Sequence, residues 1–340
     1  MGREHRRSAK NSPRKHSGVY WLSVITLVLI FIVNTLGFTD TITGSAMGCG
    51  RNWPLCNGQI IPSVWTRATF IEYFHRLSVL LGGGVLIGFT VAAWRSYGRI
   101  VSVRILLGLA LLGVVLEGAL GALAVLFVNP PAVMAAHMGI ALITFVAMVL
   151  ITGVIGQADG RRFGSAGVAG IRWMGGNEQE NERWARTFSR LVWWSVPYGY
   201  GAIYVGAYVA STGYGSFFRG FPVPTESFAI AGTALWIDIL HRSIALGYVI
   251  WMAVLVYQSW RHRHSHRRQW ILSCAAFVLV CLQAFFGWLL IATHLSEIAF
   301  LLHVTNVSLL FATQCYMGWT MLQERHLRRH QDRGALLRIS

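Results

Sequence analysis

Residues 72–76 read EYFHR and residues 238–242 read DILHR, so an acidic residue, a histidine and an arginine recur 166 positions apart. The same offset relates EGALG at residues 117–121 to QAFFG at residues 283–287, and His137 to His303. Several chemically similar residues at one fixed offset indicate an internal repeat. The sequence therefore predicts a tandem duplication of one structural unit.

The composition of the 340-residue chain indicates a membrane protein. Hydrophobic residues make up 54 % and charged residues only 12 %, about half the share found in a soluble domain. These values exclude a disordered protein and an ordinary cytosolic enzyme. A bilayer core requires about 20 apolar residues per helix. Eight such spans are predicted: Tyr20–Phe38, Ile71–Trp94, Ile105–Phe127, Ala132–Ile155, Leu191–Val209, Ile230–Tyr257, Trp270–Ala292 and Ala299–Met321.

The net charge of +16 is distributed asymmetrically along the chain. Basic residues cluster before the first span, after the last span, and in every second loop between them. The other loops contain little more than Arg51, Arg67 and Arg219. Since Lys and Arg favour the cytoplasmic side, both termini are predicted to be cytoplasmic. The basic excess is thereby explained without a nucleic-acid partner.

The expected fold is all-α, a polytopic membrane protein with eight transmembrane helices arranged as two tandem four-helix bundles. Both copies enter from the same side, so a pseudo-two-fold axis along the membrane normal is expected to relate them. The predicted divisions are a basic cytoplasmic tail (1–18), the first bundle (19–156), a cytoplasmic connector (157–190), the second bundle (191–322) and a second basic tail (323–340).

Four histidines recur in the repeat, one pair in each half: His75 with His137, and His241 with His303. All four are expected at one depth, toward the outer face. Ionisable residues inside spans are costly and indicate functional sites. Two neutral imidazoles facing each other across a bundle can bind both axial positions of a haem iron. A single such histidine would more simply be a packing residue, but two pairs in duplicate register favour haem, whereas zinc or copper would require more converging ligands.

Other residues near these histidines extend the predicted site. Arg76 and Arg242 follow directly and are candidates for pairing with haem propionates. Three glycines, Gly82, Gly83 and Gly84, would leave room for a flat ring, although they would serve helix packing equally well. Glu72 lies one helical turn from His75, where a carboxylate can accept protons. Pairing with a neighbouring arginine, or capping the helix, is an equally good interpretation of Glu72.

A short loop after the first span contains two cysteines, Cys49 and Cys56, within the sequence CGRNWPLC. The predicted topology places this loop on the oxidising side, where a disulfide is favoured. Such a disulfide would be either structural or a participant in redox exchange.

These motifs resemble the haem A synthase family. The resemblance is carried by TGSAMGCGRNWPLCNGQIIP at residues 43–62, by EYFHRL after it, and by the three later histidines of the repeat. It covers all eight spans. It implies oxidation of the C8 methyl of haem O to a formyl group by two successive hydroxylations with oxygen from water, giving haem A for terminal oxidases.

The resemblance also implies roles for individual residues. His75 and His137 would hold the substrate haem O, with Glu72 as the catalytic carboxylate. His241 and His303 would ligate a haem b cofactor, and Cys49 and Cys56 would form a disulfide. The chain departs from the family pattern at two places. The loop at Val209–Ser227 lacks the second cysteine pair of some members, and Glu117 replaces a common glutamine. We expect Glu117 to be hydrogen-bonded, with the ring of His137 as a candidate partner.

Two other functions use the same features. A di-haem b electron carrier or quinone oxidoreductase would need the four histidines, but it usually places its haems on opposite sides of the membrane. A transporter would fit the internal repeat, but the sequence shows no pair of broken helices at the midplane. For the enzyme, the expected partners are haem O and haem A, membrane lipid, an electron acceptor such as a quinone, haem O synthase and oxidase assembly factors. The expected location is the cell membrane.

Overall fold

The computed structural model describes residues 17–160, 178–216 and 218–339. Within these ranges it contains eight α-helices, one 3₁₀ turn at Tyr214–Ser216 and no β-strand, which confirms the all-α prediction. The helices are α1 (Ser17–Ile42), α2 (Arg67–Tyr97), α3 (Val101–Leu126), α4 (Pro131–Ala158), α5 (Glu178–Thr212), α6 (Phe228–Arg261), α7 (Arg267–Ala292) and α8 (Glu297–Ile339). Seven of them are long and apolar enough to cross a membrane.

Helix α5 is the exception among the predicted spans. It occupies the position of the fifth span, but it contains Pro197 and many Trp, Tyr and Gly residues, which lower its hydropathy. It also begins well before residue 191, so residues 178–190 of the predicted connector are helical. The reason is packing: Trp184 and Phe188 are buried, and Trp184 stacks on Phe188 and on His262 at centroid distances of 4.9 and 4.6 Å. Residues 161–177 of the connector, and residues 1–16 of the first tail, lie outside the described residues.

The helices contact one another in the same pattern in both halves of the chain. In the first half α1 packs on α2 and α4, and α3 packs on α4; in the second half α5 packs on α6 and α8, and α7 packs on α8. Between the halves α4 contacts α5 and α8, and α1 contacts α8. A two-fold relation between the halves would produce this pattern, and the symmetry itself stays a prediction.

The tightest packing in the first half joins α3 to α4. A Cβ atom on Gly113 would lie 2.1 Å from Oγ1 of Thr144, so only glycine fits at this crossing. Large buried side chains, including Leu107, Met148 and Ile151, fill the core around it. Small residues let membrane helices approach closely, since lipid provides no hydrophobic drive for their association. By contrast, α2 and α3 touch along little of their length, although only three residues connect them.

Candidate functional site

A cavity of about 470 Å³ lies among α1, α2, α3 and α4. It is lined by four of the residues predicted from the sequence, Glu72, His75, Arg76 and His137, together with Glu117. Its volume lies within the range of small-molecule and cofactor pockets, about 300–1,000 Å³. The structure thus brings the predicted residues of the first half together around one space.

The two histidines of this cavity are each positioned by a glycine and a carboxylate. A Cβ atom on Gly37 would lie 3.1 Å from Nε2 of His75, and one on Gly121 would lie 3.6 Å from Cε1 of His137. Nδ1 of His75 lies 3.7 Å from Oδ2 of Asp40, a buried carboxylate of α1. The predicted first span ended at Phe38, so Asp40 was not among the predicted site residues. The signal for it in the sequence was an acidic residue two positions beyond the end of an apolar stretch.

Glu117 lies beside His137, but the expected hydrogen bond between the two side chains is not formed. Its Oε2 atom is 3.1 Å from Nδ1 of His137. The ring nitrogen is not aligned for a full hydrogen bond, and Oε1 of Glu117 is buried without a hydrogen-bond partner. A polar group in that condition usually indicates a missing ligand or water.

The histidines of the second half have equivalent surroundings. A Cβ atom on Gly206 would lie 2.8 Å from Cε1 of His241, and one on Gly287 would lie 3.5 Å from Cε1 of His303. Nδ1 of each ring is buried without a hydrogen-bond partner. Each repeated histidine therefore packs against a glycine of the preceding helix.

Glu72 fixes the cysteine-containing loop onto α2. The side chain is 2 % exposed, and its Oε2 atom accepts a hydrogen bond of 2.6 Å from the backbone N–H of Cys49. Its Oε1 atom accepts a hydrogen bond from Arg76. Nearby, the hydroxyl of Thr69 donates to the carbonyl of Gly48 at 3.0 Å. Glu72 thus lines the cavity and also holds the cysteine-containing loop, residues 43–66, in place. This loop is called the roof of the cavity below.

Cys49 and Cys56 lie in this roof, and both are buried. Their sulfur atoms lie at disulfide-bonding distance. The loop approaches α2 very closely, because a Cβ atom on Gly48 would lie 2.3 Å from the carbonyl carbon of Ala68. Trp53 and Pro54 of the same loop line the cavity. The roof is therefore held by side-chain contacts as well as by the cysteines.

Arg76 and Arg242 make the same kind of contact in the two halves. Arg76 donates to the carbonyl of Leu55 at 2.7 Å in addition to its ion pair with Glu72. Arg242 pairs with Asp238 at 2.7 Å and donates to carbonyls of the loop before α6, those of Gly220 and Pro222. Each arginine thus holds a loop over its own half. Their predicted pairing with haem propionates stays a prediction, and the sequence did not indicate the loop contacts.

Glu226 stabilises the loop before α6 in a way that sequence reasoning missed. The backbone N–H groups of Arg219 and Thr225 donate to its carboxylate at 2.8 and 3.0 Å. These hydrogen bonds, above all that from Arg219, hold the pKa of the Glu226 carboxyl below its usual value.

The available ligands fit haem in both halves. Each half supplies two imidazoles, the side chains suited to axial ligation of iron. Nδ1 of His137, His241 and His303 is buried without a hydrogen-bond partner. In the first half a cavity of suitable size adjoins the pair. The glycines at residues 82–84 were predicted either to leave room for a ring or to serve helix packing, and they differ. Gly83 lines the cavity, whereas Gly82 lies at a helix contact, since its Cβ atom would be 3.3 Å from Val33 of α1.

Comparison with known proteins identifies the family. Residues 63–235 match the model of the COX15-CtaA family, described as cytochrome oxidase assembly protein. A haem A synthase of Bacillus mycoides is 30 % identical over 309 residues, which cover 88 % of this chain and 92 % of the relative. Haem A synthases of Bacillus cereus and Bacillus anthracis are 31 % identical over 312 residues with the same coverage. The chain therefore belongs to the COX15-CtaA family, the family of the haem A synthases.

Proposed function

We propose that this protein is a haem A synthase that oxidises the C8 methyl group of haem O to a formyl group. Two successive hydroxylations with oxygen from water, followed by loss of water, convert CH₃ and H₂O into CHO, four protons and four electrons. The product, haem A, serves terminal oxidases. The observation that carries the proposal is the single cavity lined by His75, His137 and Glu72, in a chain that matches haem A synthases over 88 % of its length.

In this proposal the first half is the substrate site. His75 and His137 hold haem O, and the adjacent carboxylates of Asp40 and Glu117 orient the two rings. Arg76, at the roof of the cavity, pairs with a propionate. The C8 methyl shares its pyrrole ring with a propionate, so this orientation brings the methyl toward Glu72. Glu72 then accepts protons released during oxidation.

The second half holds the haem b cofactor between His241 and His303. When bound, this group supplies one-electron chemistry and carries electrons away from the substrate. Asp238 replaces Glu72 there, one methylene shorter, and Arg242 pairs with it and is the candidate partner for a propionate. The Cys49–Cys56 disulfide belongs to the first half.

We propose that a quinone accepts the electrons, that haem O synthase supplies the substrate, and that oxidase assembly factors receive the product.

The proposed location is the cell membrane, with both termini cytoplasmic and both haem sites toward the outer face. Residues 19–156 form the substrate bundle in this proposal, and residues 191–322, extended toward the N-terminus by the first turns of α5, form the haem b bundle. The seven apolar helices support the membrane location.

A di-haem b electron carrier is the second candidate function. One observation favours it. In both halves an arginine that is paired with an acidic residue holds a loop, so Glu72 has a structural role at its position as well. A carrier would bind haem b in both halves and would leave haem O unchanged.

Chromatography of extracted haems distinguishes the two functions. The protein is expressed with haem O synthase in a host that lacks haem A, and the haems are then extracted. We expect haem A to appear with the wild-type chain and to be absent with His75→Ala, which retains haem b in the second half. Haem b and unmodified haem O as the only products would contradict the proposal and favour the carrier.

Replacing Gly206 by alanine is expected to lower the affinity for haem b by about tenfold or more, because the new methyl group would lie 2.8 Å from the ring of His241. Gly201→Ala is the matched control, since a Cβ atom at this position of α5 has no atom within 4 Å. Haem b per purified protein, measured from its absorption spectrum, is the readout. Equal haem content in the two variants would show that Gly206 does not position His241.

A further inference from the structure

We propose that a cleft between α2 and α3 seats the isoprenoid tail of haem O. The tail cleft consists of Val79, Leu80 and Gly83 on α2 and of Val114 and Gly118 on α3, all of which line the cavity. This inference rests on the proposed function and adds to it the structural element that recognises the prenyl group of the substrate.

The cavity reaches the lipid-facing surface at the tail cleft. Leu80 lines the cavity and is nevertheless 73 % exposed, and Val79 is exposed as well. The cleft lies where α2 and α3 touch little, whereas α3 packs closely on α4 through Gly113. The opening therefore faces the hydrocarbon region, where an isoprenoid chain is soluble.

The two glycines of the tail cleft border free space. A Cβ atom built on Gly83 or on Gly118 would have no atom within 4 Å. Two neighbouring glycines behave differently, because a Cβ atom on Gly82 would contact Val33 and one on Gly121 would contact His137. Space is thus free at both glycines of the cleft, as a chain lying between α2 and α3 requires.

The residues that line the cavity differ in polarity. Glu72, Arg76 and Asp40 contact the cysteine-containing loop, and Asn34, Glu117 and Thr144 also line the cavity, whereas the tail cleft is lined only by apolar side chains and glycine. Haem O has matching polarity, because its propionates lie on one edge and its tail leaves from the far side of the ring. With the propionates under the roof, the tail enters the cleft.

Titration with two haems tests this inference. The full-length protein, with haem b in its second half and the first site empty, is placed in lipid nanodiscs and titrated with haem O and with protohaem, which lacks the tail. We expect haem O to bind roughly tenfold more tightly than protohaem. Because lipid solvates the tail as well as the protein does, this difference in affinity arises from packing of the tail in the cleft. In Gly83→Phe and Gly118→Phe a phenyl ring fills the cleft, so this preference is expected to disappear.

Gly84→Phe is the matched control, since Gly84 is exposed, has no atom within 4 Å of its Cβ position and does not line the cavity. It should keep the tenfold preference. The haem b spectrum of the second half reports folding of each variant, and Gly118→Val provides a smaller obstruction if a phenyl ring prevents folding. Equal weakening of both haems, or an unchanged preference in the cleft variants, would overturn the inference.

The outcome is independent of catalysis. A wild-type protein that prefers haem O but forms no haem A would contradict the proposed function and leave the tail cleft intact. A wild-type protein that forms haem A and binds both haems equally would contradict only the tail cleft.

Discussion

Replacing Glu72 by glutamine is expected to lower the rate of haem O oxidation by at least about 100-fold, the contribution typical of one acid–base group. Glutamine has nearly the same volume, and its carbonyl oxygen can still accept the hydrogen bond from the backbone N–H of Cys49. It cannot accept a proton from the reaction. Haem A formed per haem O bound, measured in isolated membranes, gives the effect.

Asp238→Asn is the matched control for this variant. Asp238 pairs with Arg242 as Glu72 pairs with Arg76, so both substitutions remove the acidic partner of a loop-holding arginine. We expect Asp238→Asn to retain most of the oxidation rate. If both variants lose activity equally, the acidic residues serve to hold the loops; if Glu72→Gln remains active, Glu72 is an anchor and not a catalytic residue.

His241→Ala and His303→Ala are each expected to abolish the low-spin spectrum of bound haem b. The Nδ1 atoms of both rings are buried without partners, and removal of one axial imidazole leaves the iron with a single protein ligand. The reduced absorption spectrum of the purified variants measures this loss directly.

His137→Ala serves as the comparison, because His137 is the repeat counterpart of His303 and belongs to the proposed substrate site. It is expected to keep the haem b spectrum and to lose bound haem O. A normal low-spin spectrum in both His241→Ala and His303→Ala would show that the roles of the two halves have been assigned wrongly.

The sequence predicted the helices and the residues of the cavity because both are encoded in spacing. An apolar stretch of about 20 residues is sufficient to define a span. The 166-residue offset identified Glu72, His75 and His137 without any knowledge of their neighbours. These three residues do line one cavity.

Contacts between helices could not be predicted in the same way. Gly37 and Gly206 pack against His75 and His241, but nothing in their own stretches distinguishes them from other glycines. The hydrogen bond from Cys49 to Glu72 joins residues 23 positions apart and depends on the path of the loop. Helix α5 begins earlier than the predicted fifth span because Trp184 is buried against His262 of the loop after α6. Local hydropathy does not reveal this contact.

Tyr200 reaches from α5 of the second half onto α4 of the first, two residues beyond His137. A Cβ atom on Gly139 would lie 2.6 Å from its hydroxyl, so close-packed protein fills this junction. If the two proposed haem sites are filled, this junction places packed protein between the halves of the chain, where few mobile solvent dipoles would have to reorient when an electron passes. The two redox centres would then need no diffusible carrier between them, and an external partner would be required only for the last transfer.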